Sequence, residues 1–313
     1  MRRRRKSNYS FLRFSLQSSK LSLPKRIKSY FDRAVTSIYD GPSNAHPIIA
    51  LNALKNTIGD DRHNPSQPLL EAMAELAEKY PQRKDDKAVL DAVAKDGLGL
   101  TVFIADLEDA CQSGNPIEME QEAARLQWVS ENGLAGIDCL LEVALQDFDR
   151  LGLFTYHLQR ANTFSPDVKN TWPYTRCLLK QICKESLPDP HDKVDYEISI
   201  MGQVSKDKMQ LIKMAAANRL WNGDYVRIEG YRRELSYWFS RVSVEIGSGK
   251  NIMNGLEDYM KNGGNFFIKL AEGLIENPVW EVNIIQLEAL RYFAKNSQNN
   301  LPNISTHLTK LTK

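Results

Sequence analysis

The sequence predicts an all-α protein built from helical hairpins. After the first 33 residues, segments with apolar residues at helical spacing alternate with short stretches of Pro, Gly and Asn, and runs of alternating β-branched residues are few. At two places a Gly followed by Asn or Asp separates two such segments, which is typical of a turn between helices. We therefore expect a multi-helix αα-hairpin array or bundle, preceded by a disordered or extended basic N-terminal arm.

The apolar spacing predicts fourteen helices, each bounded by helix-breaking or capping residues. Those before residue 164 are Lys25 to Ile38, His46 to Ile58, Pro68 to Lys79, Lys87 to Ala94, Leu100 to Gln112, Pro116 to Glu131, Ile137 to Gln146 and Leu151 to Ala161. Those after it are Tyr174 to Lys184, Lys206 to Trp221, Tyr225 to Val244, Met253 to Lys261, Phe267 to Ile275 and Val279 to Lys295.

A polar stretch with two prolines, Leu187 to Asp192, is the best domain boundary in the chain. His191 lies there among Asp189, Asp192 and Asp195, and we expect a solvated charged linker. The predicted organisation is a basic arm (1–33), an N-terminal helical domain (34–163), a connector (164–197), a C-terminal helical domain (198–296) and a fraying polar tail (297–313).

The two hairpin turns resemble each other at an offset of 109 residues. Gly114, Asn115 and Pro116 align with Gly223, Asp224 and Tyr225. In both places we expect the Gly to end one helix in the left-handed conformation and the next residue to cap the following helix. The alignment indicates two pseudo-repeated halves, or the same turn chemistry arising twice. The second helix carries an apolar stripe for burial, consisting of Ile228, Tyr231, Leu235, Trp238 and Phe239.

Charge is segregated along the chain. The first 33 residues hold eleven Lys and Arg and one acid, whereas the other 280 hold 30 basic and 38 acidic residues. A +10 arm on a −8 body suits nucleic acid, an anionic membrane, an import machinery or an acidic protein. The arm could therefore grip phosphates, serve as a mitochondrial transit peptide, or dock on a neighbouring copy or partner; a disordered solubilising tail is the simplest alternative.

Composition indicates where in the cell the protein is expected and whether it is expected to bind a cofactor. No apolar run approaches the length of a membrane span, and the N-terminus lacks the apolar region of a secretory signal. We expect an intracellular protein, cytoplasmic unless the arm is a transit peptide. Cys111, Cys139, Cys177 and Cys183 show no metal-binding spacing, so neither a metal site nor another cofactor is expected.

No catalytic motif is recognisable. The segment Gly247 to Asn251 lacks the first Gly and the final Ser or Thr of a phosphate-binding loop. The histidines form no Glu-x-x-His pair, and no nucleophile elbow is present. The sequence leaves enzymatic activity uncertain and favours a non-catalytic role.

Arginines interleaved with aromatics form a second basic cluster, between residues 219 and 241. Guanidinium groups and rings could together hold phosphates and bases, although nearby acids indicate packed aromatics with salt-bridged arginines instead. The predicted binding residues for nucleic acid or another anionic partner are Arg2, Arg3, Arg4, Arg5, Lys6, Arg13, Arg219, Arg227, Arg232 and Arg233.

The sequence as a whole predicts a helical interaction or scaffold protein whose basic arm engages an anionic partner, either another protein or a second copy of itself. The alternatives are a nucleic-acid coating or packaging protein that uses the arm and the arginine-rich hairpin, and an organellar protein with a removable presequence.

Overall fold

The all-α prediction is confirmed by a computed structural model that describes residues 21–164, 170–247, 249 and 251–313. Within these residues the chain forms fifteen α-helices and no strand. They are α1 Leu23–Val35, α2 Pro47–Ile58, α3 Gln67–Glu78, α4 Asp86–Asp96, α5 Ile104–Ser113, α6 Pro116–Val129, α7 Ala135–Leu145, α8 Leu153–Asn162, α9 Thr171–Ile182, α10 Lys208–Trp221, α11 Ile228–Arg241, α12 Leu256–Asn262, α13 Phe266–Leu274, α14 Trp280–Asn296 and α15 Leu301–Leu311.

Four helices form the centre of the molecule. Helix α2 packs between α8 and α14, and α10 packs on the same two helices. Helices α1 and α3 cover α2 on one side, while α5, α6, α7 and α9 pack together on the other side of the molecule. Helices from before and after the predicted domain boundary thus share contacts, and α9 of the predicted connector packs on α1 and α7. The division into domains stays a prediction.

The helix predicted from Lys25 to Ile38 is present as α1, and it overlaps the end of the predicted basic arm. Residues 23–33 were assigned to it, yet they belong to α1, where Ile27, Tyr30 and Phe31 are buried. Apolar residues at spacings of three and four drive this packing, and Arg33 forms a salt bridge with Glu78 of α3. Residues 1–20 lie outside the described residues.

Only the first of the two predicted hairpin turns has the expected geometry. Gly114 is left-handed with φ of 70°, and the Asn115 side chain accepts a hydrogen bond from the Ile117 N–H at 3.1 Å. The prediction for the second turn is wrong, because Gly223 is not left-handed and α11 begins only at Ile228, without an Asp224 cap.

The difference between the turns lies in the residue after the cap. Pro116 has the φ value of a first helical turn, so α6 begins at once. Tyr225 instead packs its ring against Tyr231, with centroids 5.1 Å apart, and keeps the chain out of helix as far as Arg227. The repeat itself stays a prediction, whereas burial of Tyr231, Leu235, Trp238 and Phe239 in the α11 stripe is confirmed.

The C-terminal segment is a helix rather than a fraying tail. In α15, Ile304 and Leu308 are fully buried one turn apart, and the helix packs on α14. Ser305 Oγ accepts a hydrogen bond from the Met253 N–H at 2.9 Å. Packing of these two apolar residues against the rest of the protein stabilises the helix.

Helix α4 differs from the others because none of its residues is buried. Its apolar residues Val89, Leu90 and Val93 are only half-buried against α6 and α9. It therefore lies on the surface with clefts on both sides.

Candidate functional site

The sequence-predicted binding residues fall into two groups. Arg2, Arg3, Arg4, Arg5, Lys6 and Arg13 lie outside the described residues. Arg219, Arg227, Arg232 and Arg233 are described, and each is engaged by groups within the protein.

Arg219 is part of a buried ion pair. Its two terminal nitrogens donate to the two carboxylate oxygens of Glu288 at 2.8 and 2.6 Å. The Tyr292 ring lies 4.2 Å from the guanidinium carbon, and Asn56 donates to the same carboxylate at 2.9 Å. Although burial opposes ionisation, Arg219 holds the pKa of Glu288 down to about 2. The ion pair anchors α10 to α14, and Glu288 also joins α14 to α2 through Asn56.

The other three arginines of the cluster also face carboxylates. Arg227 forms salt bridges with Glu108 and Glu142, and Arg233 with Glu142 and Glu234. Arg232 pairs with Glu229. The structure therefore shows the salt-bridged arrangement that the sequence favoured for this cluster, and anion binding by these residues stays a prediction.

A groove runs along α9 and continues between α9 and α4, and it is here called the α4–α9 groove. Its deeper part has a volume of about 930 Å³, and a second part of about 480 Å³ continues beyond Lys180 and Lys184, which line both. The deep part lies between Tyr39, His46 and Cys177, and the second part is lined by apolar residues of α4, α6 and α9. Large concave surfaces of this kind are where ligands and peptides usually bind.

The deep part of the groove is lined by more positive than negative side chains. Arg83, Lys84, Lys180 and Lys184 line the deep part, against Asp40 and Asp85. Arg83 pairs with Asp86, and the Lys184 ammonium donates to the Gln181 amide oxygen at 2.8 Å. Lys84 and Lys180 form no salt bridge with any described residue, so their charge is open to an anionic group.

Sequence reasoning did not identify this groove. Lys180 and Lys184 are four residues apart, which places them on one side of a helical turn, and this spacing was the available signal. Lys84 comes from a loop almost 100 positions away, and its proximity depends on the packing of α4 on α9.

A cysteine and a histidine meet at the floor of the groove. Cys177 Sγ lies 3.6 Å from His46 Nε2, although the residues are 131 positions apart. His46 Nδ1 accepts a hydrogen bond from the Ile48 N–H at 3.2 Å, so this nitrogen carries no proton and Nε2 does. The imidazole therefore donates towards the sulfur and has no free lone pair with which to remove the thiol proton.

The protonation of both groups agrees with this geometry. Burial, followed by the nearby charges of Lys184 and Arg83, lowers the pKa of His46 to about 3. Burial raises the pKa of the Cys177 thiol to about 12. A nucleophilic cysteine needs a thiolate near neutral pH, so this pair is built for helix capping and packing.

A contact between a carboxylate and a histidine holds the segment that was expected to be a solvated linker. His191 Nδ1 lies 2.7 Å from the Glu234 carboxylate, and its ring stacks on Tyr237 with centroids 3.6 Å apart. The Val194 N–H also donates to Ser236 Oγ at 3.0 Å. These contacts dock the linker on α11, where His191 is a second partner of the fully buried Glu234 besides Arg233. The adjoining cleft of about 370 Å³ contains Asp147 and Asp149 as well.

Among the described residues, no three His, Cys, Asp or Glu side chains are arranged to hold a metal ion. The four cysteines are free. In the same part of the chain, none of the helices has the length and apolar character needed to cross a membrane. No family model matches the sequence, and no curated protein or solved structure is significantly similar to it.

Proposed function

We propose that this chain is a helical interaction protein that engages an anionic partner through its basic N-terminal residues. The observation that carries the proposal is the distribution of positive charge. Residues 1–20 contain seven Lys and Arg and no acid, whereas most arginines of the described body are paired with carboxylates. A concentration of like charge along one segment attracts partners of the opposite charge.

The α4–α9 groove supports the same function. Its deep part offers the ammonium groups of Lys84 and Lys180 beside apolar side chains such as Ile38 and Tyr39, a combination that suits an acidic segment of another protein. The N-terminal residues would attract the anionic partner over a long range, and the groove would supply a surface that fits it. The proposed binding takes place within the cell.

The test measures binding to two polyanions, poly-glutamate and single-stranded oligonucleotide, across a salt series. Three proteins are compared: the full chain, a chain that begins at Leu21, and the full chain with Arg2, Arg3, Arg4 and Arg5 replaced by Gln. Starting at Leu21 keeps α1 whole, whereas a start at Ala34 would delete the buried Tyr30 and Phe31. The matched control removes the same number of exposed charges from the body, as Lys193→Gln, Lys261→Gln, Lys269→Gln and Lys310→Gln.

We expect the full chain to bind and the four-arginine variant to bind more weakly. For the oligonucleotide, the slope of log K against log salt should fall by about 3, because each phosphate contact on a single strand contributes about 0.7. The control should bind like the parent. Preference for poly-glutamate indicates an acidic protein partner, and preference for oligonucleotide indicates nucleic acid. Equal binding by the full chain and the Leu21 chain would refute the proposal.

A further inference from the structure

The acidic surplus of the body lies in a single segment. Residues 85–131, which include α4, α5 and α6, hold eleven acids and three basic residues, a net charge of −8. The remaining residues after position 33 hold 27 basic and 27 acidic residues and are neutral. The body thus has one strongly acidic region, here called the acidic segment.

The acidic segment presents its charge to solvent. None of its eleven carboxylates is buried, and several are held by arginines, such as Asp86 and Glu120 by Arg176. Five others are exposed and form no salt bridge with the described residues. These are Asp96, Asp106, Asp109, Glu118 and Glu131.

The same segment also exposes apolar side chains. It contributes Leu100, Phe103, Ile104, Ile117, Trp128 and Val129 to the exposed large hydrophobics of the molecule. Apolar side chains exposed beside charges can take part in binding another chain segment.

A cleft on the outer side of α4, here called the tryptophan cleft, combines both features. It has a volume of about 490 Å³ and is lined by Leu90, Trp128, Trp172 and Pro173, together with Asp86, Asp91 and Lys87, which pairs with Asp91. The Trp128 indole N–H donates to the Leu90 carbonyl at 2.9 Å and the Trp172 N–H to the Asp86 carbonyl at 2.8 Å. Both rings therefore have their polar atoms satisfied, and Trp128 remains 45% exposed. Such a cleft suits cationic and aromatic side chains.

We propose that residues 1–20 of the same chain dock on this surface, with the tryptophan cleft at its centre. These residues carry +7 and no acid, and interleave five apolar side chains with the charges: Tyr9, Phe11, Leu12, Phe14 and Leu16. Their positive charge complements the carboxylates of the acidic segment, and their apolar side chains complement its exposed apolar residues.

The start of α1 is close enough for docking within one chain. The Lys28 ammonium lies 3.2 Å from the Tyr174 hydroxyl, and Tyr174 follows Trp172 by two residues. From Lys28 back to Leu21 the helix rises by about 10 Å. Twenty residues can span up to roughly 66 Å when fully extended. A tethered segment has an effective concentration in the millimolar range, which favours its own cleft over that of another molecule.

Docking pairs the basic residues with the acidic segment of the same chain. An external polyanion then has to displace them from the acidic segment before it can bind them, so the acidic segment sets a threshold for binding. This consequence rests on the proposed function, whereas the docking itself requires no external partner.

The test uses a fluorescent peptide of residues 1–20 and measures its binding by anisotropy to the Leu21 chain and to the full chain. The Leu21 chain should bind the peptide, with affinity that falls as salt rises. The full chain should bind it at least about tenfold more weakly, because its own residues 1–20 occupy the surface. Trp128→Ala and Asp91→Asn in the Leu21 chain should each weaken binding, by about tenfold for the tryptophan. A melting curve shows that each variant is folded.

Glu257→Gln and Glu276→Gln serve as the matched control, because both carboxylates are exposed and lie outside the acidic segment. This variant should bind the peptide like the parent Leu21 chain. No binding by the Leu21 chain, or equal loss in the control, would overturn the proposal. Equal peptide binding by the full chain, or an oligomer that depends on residues 1–20, would show docking between copies instead. The polyanion assay with the Leu21 chain reports on the proposed function separately.

Discussion

At the scale of single residues, two buried histidines make stability depend on pH. His46 and His157 are each 2% exposed, and burial lowers the pKa of both imidazoles from 6.5 to about 3. Below pH 6.5 the unfolded chain takes up protons at these sites and the folded protein does not. Their contribution to stability is therefore full above pH 6.5 and is lost as the pH falls towards 3.

We predict that the free energy of unfolding falls by about 1.4 kcal/mol per pH unit for each of these histidines between pH 6 and pH 4. His46→Asn should flatten the dependence by that amount, since Asn also caps a helix but does not titrate. Urea unfolding at about pH 7, 6 and 5 measures the slope. Replacement of the exposed His63 by Gln should leave the slope unchanged. An unaltered slope in His46→Asn would mean that His46 takes up a proton in the folded protein.

At the scale of elements, the turns at Gly114 and Gly59 differ in whether their backbone conformation favours glycine. Gly114 has a φ of 70° with no atom within 4 Å of an added Cβ, so only its backbone conformation opposes a side chain. Gly59 ends α2 with a φ of −62° and is equally open. We predict that Gly114→Ala destabilises the protein by about 1 kcal/mol, whereas Gly59→Ala stabilises it by about 0.5 kcal/mol. Thermal unfolding of the two variants checks the pair, and equal effects would contradict the assigned geometry.

Helix α15 should contribute to the stability of the whole protein. Ile304 is fully buried against the rest of the chain, while Thr306 two positions later is exposed. We predict that Ile304→Ala lowers the free energy of unfolding by about 2–4 kcal/mol and that Thr306→Ala changes it by less than about 0.5 kcal/mol. Chemical denaturation measures both. A small effect of Ile304→Ala would support the fraying tail that the sequence suggested.

Local sequence patterns predicted most elements and few of their contacts. The segment predicted as His46 to Ile58 is Pro47–Ile58, and that predicted as Val279 to Lys295 is Trp280–Asn296. These boundaries follow from capping residues and apolar spacing, which are local. The turn at Gly223 and the helix α15 were mispredicted because tertiary packing decides them, through Tyr225 in one case and Ile304 in the other.

The candidate sites depend even more on long-range packing. Cys177 meets His46, and Glu234 meets His191, across 131 and 43 positions. No spacing in the sequence marks either pair. The charge segregation that supports the proposed function is different, because it can be counted directly along the chain.

At the scale of the molecule, one ion pair joins the helices of the centre. Glu288 of α14 accepts hydrogen bonds from Arg219 of α10 and from Asn56 of α2. It therefore connects parts of the chain before and after the predicted domain boundary. Removing Arg219 would leave a buried carboxylate without its partner, which is far more costly than the pair itself is stabilising.

We predict that Arg219→Met lowers the free energy of unfolding by about 3–5 kcal/mol, and that adding Glu288→Leu restores much of the loss because no buried charge then remains. Calorimetry should show one transition in both proteins, with equal calorimetric and van't Hoff enthalpies, because α2, α8, α10 and α14 pack as a single group. Two transitions, with only one shifted by Arg219→Met, would instead show that the halves on either side of residues 187–192 unfold as separate domains. The same calorimetry on Arg241→Met, an exposed arginine at the end of α11, provides the control and should give a nearly unchanged transition.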